Sequence, residues 1–267
     1  MSEHRFILRA AAPDGVGIIA DVMGHLASHR VNVTENSDFG DPLTKRFFIW
    51  AKFQAEQGFN QAAFRDGFQA LADRRAMTWS LRLETDRPKA IVMVSKGDHC
   101  LNDLLYRHHR RRLGADIVAI VSNHPNTKWH ADRHDIPFHH IPVNPDDKAP
   151  AENELLDLIA NTHTDFVILA RYMQVLSNPL SQALEGRCIN IHHSALPSFK
   201  GARPYHQAHA RGVKLMGATA HYVTADLDEG PIIAQDVIPV DHRLSADRMA
   251  DLGKDIEARV LARAVTA

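Results

Sequence analysis

Hydrophobic positions along the first 83 residues change period in a fixed order. Phe6 to Ala10 is a short apolar run, Ile18, Ile19, Val22, Met23 and Leu26 recur at helical spacing, and Val31 to Val33 and Phe47 to Phe53 read as extended. Phe64, Phe68 and Leu71 then return at intervals of four and three, and Trp79 to Leu83 is again extended. Strand, helix, strand, strand, helix, strand is the βαββαβ order of a ferredoxin-like domain. The polar segment Glu84 to Pro88, ETDRP, closes on proline and marks a boundary. The pattern therefore predicts a first domain over 1–84, a linker over 85–88 and a second domain over 89–267.

The second part alternates strands and helices. Ala90 to Val94, Ile117 to Val121, Phe138 to Ile141, Phe166 to Leu169 and Cys188 to His192 read as strands, with helices around 101–112, 129–134 and 154–160. Such alternation predicts a parallel, doubly wound, Rossmann-like sheet. Ala218 to Val223 and Ile232 to Val240 read as two more strands, and Ser245 opens a last helix through about Ala264. No GxGxxG follows the Ala90 to Val94 strand, which argues against a dinucleotide enzyme.

One strand breaks its own pattern. A buried parallel strand normally runs through aliphatics, yet Arg187 to Pro197 reads RCINIHHSALP, with Cys188, Asn190 and His192 alternating against Ile189 and Ile191. Polar groups facing inward need a partner or a function to offset their desolvation. Pro197 stops the strand and leaves His192 near its carboxyl end, where open α/β sheets bind ligands. Asn190 and His192 could donate to the oxyanion of a carbonyl under attack, each such donor being worth roughly 2.7–4 kcal/mol. Asp228, in HYVTADLDEGP, supplies a carboxylate to orient the imidazole, hold a nucleophile and, with a raised pKa, carry a proton.

Composition narrows the classes. The 267 residues carry 31 Lys and Arg against 32 Asp and Glu, a net charge of -1 that favours neither nucleic acid nor an anionic membrane. No apolar run approaches the ~20 residues of a membrane span and no signal peptide is visible, so a cytoplasmic location is expected. Cys100 and Cys188 read as buried free thiols. Eighteen histidines, including His192, His193, His206 and His209, invite a metal reading, but no common metal-hydrolase spacing is present, and neither metal nor cofactor is expected.

The constellation of Asn190-Ile191-His192, Ser194, Leu196-Pro197, Gly201, Leu227-Asp228 and Gly230-Pro231 resembles the signature of the folate-dependent formyltransferase superfamily, from about Lys89 to the end. The resemblance implies that Asn190, His192 and Asp228 act on the formyl carbon of 10-formyltetrahydrofolate. It also implies a folate pocket lined by Tyr172, Met173, Gln174, Val175 and Leu176 and by Val223, Thr224, Ala225 and Asp226, with His221 at its rim. Gln174 stands where the family pattern has a basic residue, and in the family a further strand follows the last helix. The first domain, with APDGVGIIADVMGHLASHRVNV, resembles an ACT domain. That implies an amino-acid effector, glycine or methionine, near Asp14, Gly15 and Asn32, and a homo-oligomer, dimer or tetramer.

The acceptor of the formyl group divides the superfamily. Glycinamide ribonucleotide transformylases carry a glycine- and serine-containing turn after the first strand that cradles a substrate phosphate. Here the turn reads Lys96, Gly97, Asp98, His99 and Cys100, in which Asp98 and His99 are expected to repel and obstruct a phosphate. Water is then the acceptor, and the two-domain chain, with Gly201 to Gln207, resembles the deformylase branch of the superfamily. The implied reaction is hydrolysis to formate and tetrahydrofolate, which supplies formate for purine synthesis and balances the one-carbon folate pool. A glycinamide ribonucleotide formyltransferase, or a non-catalytic amino-acid sensor on the same fold, are the alternative readings.

Overall fold

The computed structural model describes residues 4–197 and 204–266. The chain divides into two compact units, Met1–Arg87 and Pro88–Ala267. Among the described residues no helix is long and apolar enough to cross a membrane.

The first unit runs β1 (His4–Pro13), α1 (Ile18–Ser28), β2 (Asn32–Asp41), β3 (Arg46–Ala55), α2 (Gln61–Arg75) and β4 (Thr78–Leu83). Its sheet has the order β2-β3-β1-β4 and is antiparallel throughout, the ferredoxin-like arrangement. Phe6, Leu8, Ala10 and Ala12 alternate onto one face of β1, where they meet Val22 and Leu26 of α1 and Phe64 and Phe68 of α2. Gly17, at φ 87°, makes the left-handed entry to α1, and Asn60 caps α2 by accepting from the Ala63 amide at 3.0 Å.

Two expectations change here. β2 is ten residues long, not three, because its sequence NVTENSDFGD lies almost wholly exposed and shows no alternation to read. The residues expected to form an effector site also do not converge within one chain. Pro13, beside Asp14 and Gly15, registers with Arg46, whereas Asn32 registers with Gln54 at the other end of β3. At ~3.3 Å per strand residue those ends lie roughly 25 Å apart.

The second unit continues β5 (Lys89–Val94), α3 (His99–His109), β6 (Asp116–Ser122), α4 (Lys128–Arg133), β7 (Phe138–His140), α5 (Ala149–Thr162), β8 (Phe166–Leu169), α6 (Asn178–Ala183), β9 (Cys188–His192), α7 (Pro204–Ala210), β10 (Leu215–Tyr222), β11 (Ile232–Pro239) and α8 (Ala246–Thr266). The seven-stranded sheet has the order β11-β10-β9-β8-β5-β6-β7. β5 to β9 pair in parallel as expected, but β10 and β11 return antiparallel, so the sheet is mixed. Both faces are covered. Ala90, Val92 and Val94 of β5 pack with Leu101 and Leu104 of α3 and Val260 of α8, while Ile91 and Met93 pack with Leu155 and Ile159 of α5. The strand order reverses between β5 and β8, and the loops after β5, β8 and β9 gather at that switch point.

Candidate active site

Strand register brings the polar residues together. β9 lies between β8 and β10, with Asn190 opposite both Leu169 and His221, and His192 opposite Thr219. His221, expected at the rim of a pocket, is instead 2% exposed and belongs to the centre of the cluster as the cross-strand neighbour of Asn190. Its Nδ1 lies 2.9 Å from the Tyr222 carbonyl oxygen and its Nε2 lies 3.2 Å from Asn190 Nδ2. The Asn190 amide carries two N–H groups and at most one can go to His221, so one is left for a ligand.

His192 is 4% exposed, and its Nδ1 lies 3.2 Å from Asp228 Oδ2. Its Nε2 is buried with no hydrogen-bond partner among the described residues. An orphaned buried nitrogen in a native fold marks where a ligand atom belongs. Asp228 Oδ1 lies 3.6 Å from His221 Nε2. Hydrogen bonding from His192, then from His221, holds the Asp228 carboxyl well below the usual carboxylate range despite partial burial. The raised pKa that would make Asp228 a proton carrier is therefore not what the fold builds. Asp228 is a fixed anion that orients the imidazole.

The loop carrying Asp228 is shaped by backbone constraints. Asp228 has φ 58°, a left-handed conformation that Asp and Asn tolerate better than most residues. Two residues on, a Cβ added to Gly230 would sit 1.7 Å from the Tyr222 carbonyl oxygen, so only glycine lets the loop lie against β10. Across the site, Thr219 is wholly buried, donates to the Ser194 carbonyl at 2.8 Å and accepts from the Leu196 amide at 3.0 Å. Gln235 donates to Thr219 Oγ1 at 2.9 Å and to the Leu196 carbonyl at 3.0 Å, which ties the chain after β9 to β10 and β11.

A cavity of about 220 Å³ opens beside these groups, lined by residues 171–176 and 223–228 together with Asn190, His192 and His221. The structure thus gathers every residue expected in the folate pocket onto one wall system. Met173, Val175 and Leu227 expose apolar side chains there, a surface suited to a flat aromatic ligand. The 171–176 segment is pinned at intervals. Ser95 Oγ accepts from the Met173 amide at 2.9 Å, Lys148 donates to the Val175 carbonyl at 2.8 Å, and Glu152 accepts from the Ser177 amide at 2.9 Å.

The turn after β5 departs from expectation. Lys96, Gly97 and His99 border a second cavity of about 790 Å³, but Asp98 does not. Its carboxylate accepts from His130 Nε2 at 2.9 Å instead, which lowers the Asp98 pKa. Cys100 is buried in the core of α3, its thiol pushed well up by desolvation. His99 Nε2 turns to Glu257 at 2.7 Å. The expected obstruction of a phosphate by Asp98 is therefore not built, because a histidine partner draws that carboxylate away.

Glu257 was not singled out from sequence. It is 1% exposed, accepts from the Tyr205 hydroxyl at 2.6 Å, and pairs with Arg171 Nε at 3.4 Å. Met249, Gly253, Ile256, Glu257 and Val260 share the buried stripe of α8, and a carboxylate on such a stripe was the available signal. His99, Cys100 and Glu257 are the one donor group among the described residues close enough to hold a metal. Both Glu257 oxygens are already engaged, however, and the Cys100 thiol is disfavoured as a thiolate. His206 turns to Asp247 at 3.5 Å. Gly201 to Arg203, part of the deformylase-like segment, lie outside the described residues.

A doubly wound sheet with an amide, an imidazole and a carboxylate at its switch point defines a class. Residues 88–265 match the formyl transferase family. A formyltetrahydrofolate deformylase of Corynebacterium sp. (strain P-1) is 45% identical over 99% of this chain and 93% of its own length. The crystal structure of a formyltetrahydrofolate deformylase from Burkholderia mallei ATCC 23344 superposes with a TM-score of 0.95 at 50% identity, covering 99% of this chain and 94% of that one. Glycinamide ribonucleotide transformylase 1 from Symbiobacterium toebii gives a TM-score of 0.64 at 27% identity over 70% of this chain and 90% of its own. The chain belongs to the formyl transferase family and, within it, to the formyltetrahydrofolate deformylases.

Proposed function

We propose that the chain hydrolyses 10-formyltetrahydrofolate to formate and tetrahydrofolate, with Asn190, His192 and Asp228 as the acting groups. The observation that carries the assignment is the orphaned His192 Nε2, buried beside a cavity whose walls are the expected folate segments. Water attacks the formyl carbon and a C–O bond forms. The carbonyl oxygen becomes an oxyanion, which accepts from Asn190 Nδ2 and from the Nε2–H of a His192 imidazolium held by Asp228. Collapse breaks the bond from carbon to the folate nitrogen. That nitrogen takes up one proton, the attacking water gives up both of its own, one on the way to formic acid and one as the acid ionises, and formate leaves with a net proton released to solvent.

The test is formate release from 10-formyltetrahydrofolate with and without glycinamide ribonucleotide. Formate and tetrahydrofolate should appear in equal amounts whether or not the ribonucleotide is present. A formylated ribonucleotide made at a rate comparable with hydrolysis would move the protein to the transferases, and no turnover of either kind would leave the sensor reading.

For the first unit, the finer reading is an ACT domain that pairs with a second copy and takes an amino-acid effector. Its βαββαβ order and the exposed ten-residue edge strand β2, with Phe39 61% exposed, support pairing. Because Asp14 and Asn32 lie at opposite ends of the sheet, a site that uses both requires two copies.

A further inference from the structure

The cavity lined by the expected folate segments and the larger cavity beside it share a wall. Arg171, Met173, Gln174 and His193 border both. A hydrolase needs water as its second reactant, and a water molecule's share of liquid is only ~30 Å³, far less than the about 790 Å³ on this side. The charge of the space suits an anion. Arg171, Lys96 and Lys254 border it, and Glu257 is the only carboxylate among its described lining residues. On the folate side Arg171 is the only lysine or arginine among the described lining residues.

Arg171 is also placed with care. Its residue adopts φ 63°, uncommon away from glycine, while its carbonyl accepts from the Ser95 amide at 3.2 Å. The side chain is 19% exposed, and the pair with Glu257 is made through Nε at 3.4 Å. Glu257 accepts at shorter range from His99 and Tyr205, at 2.7 and 2.6 Å. The Glu257 contact thus leaves the two Nη atoms of the guanidinium for bidentate recognition of a carboxylate.

We propose that Arg171 is the centre of a product site, on which formate is held as it passes from the Asn190–His192 end into the second cavity, with Lys96 and Lys254 leading it outward. This rests on the hydrolytic reading given above. Titration of the intact protein with ¹³C-formate, followed by NMR, reads the site without turnover and should show saturable binding. Arg171→Met should weaken it by about tenfold or more, and exposed Lys96→Ala, which leaves the fold intact, by roughly threefold. Glu257→Gln keeps an acceptor for Tyr205 but removes the competing charge, so formate should bind more tightly and inhibit turnover at lower concentration. Weaker formate binding in that variant would mean that Arg171 acts only structurally, and would overturn the proposal. So would inorganic phosphate displacing formate at lower concentration, since the site would then serve a phosphorylated ligand. Turnover without saturable formate binding removes the product site alone, whereas formate binding without turnover removes the hydrolytic reading and leaves the anion site.

Discussion

At the scale of single residues, the site works by placing a charge that does not titrate near neutrality. The Asp228 carboxyl is held below its ordinary value by hydrogen bonds from His192 and His221. A depressed carboxyl stabilises the fold fully above its unfolded value of about 4, and that contribution is lost as pH falls through the lower folded value. Asp228→Asn should therefore lower kcat by at least ~10²-fold with KM little changed, because Asn fits both the volume and the left-handed backbone. The stability gap between wild type and this variant, read by denaturant titration, should be constant above about pH 4 and narrow below it. Near-normal turnover, or a gap that widens in acid, would contradict the assignment. Asn190, His192 and Asp228 were legible in the sequence because two interrupt an aliphatic strand and the third sits in a tight turn. His221 was placed at a rim because register across two antiparallel strands cannot be read from one of them. Thr219 and Gln235 carry no signal of their own, since their hydrogen bonds go to a loop far away in sequence.

At the scale of elements, two glycines fix what the polar residues can do. Gly230 allows the Asp228 loop to lie against Tyr222. Gly253 leaves room on α8 for the Tyr205 ring, which a Cβ would approach to 2.1 Å, and so lets its hydroxyl reach Glu257 one turn on. Gly230→Ala should displace Asp228 by about an ångström, and such a shift costs on the order of 10²-fold in rate. The loop is on the surface, so circular dichroism should show the secondary structure unchanged while kcat/KM falls by at least about tenfold. An active Gly230→Ala enzyme would mean that the loop is not the support of the carboxylate. Helices with an apolar stripe and strands buried on both faces were legible for the same reason: a periodic environment leaves a periodic sequence. The full length of β2 was not, because it is exposed on an edge and shows no alternation, and neither were the short helices α6 and α7.

At the scale of the whole molecule, the first unit has its own core and its own exposed edge, and the relatives that share nearly the full chain share this unit too. An edge strand of ten residues with unpaired backbone groups invites pairing unless it is blunted. Phe39, exposed on that edge, is the residue at which an introduced charge would block it, so Phe39→Lys should lower the assembly state seen by analytical ultracentrifugation while the second unit keeps its activity. If glycine or methionine is the effector and its site lies between copies, calorimetry should show binding to the assembled wild type, weakened by Asp14→Ala or Asn32→Ala and lost in Phe39→Lys, because within one copy the two polar residues lie at opposite ends of the sheet. Binding would change deformylation only if the effector prefers one arrangement of the assembly, and a coupling of ~1–3 kcal/mol shifts apparent affinity about 5–150-fold. An amino acid that bound a Phe39→Lys monomer with unchanged affinity would place the effector within a single copy, and the absence of binding by any amino acid would leave the first unit as an assembly element alone.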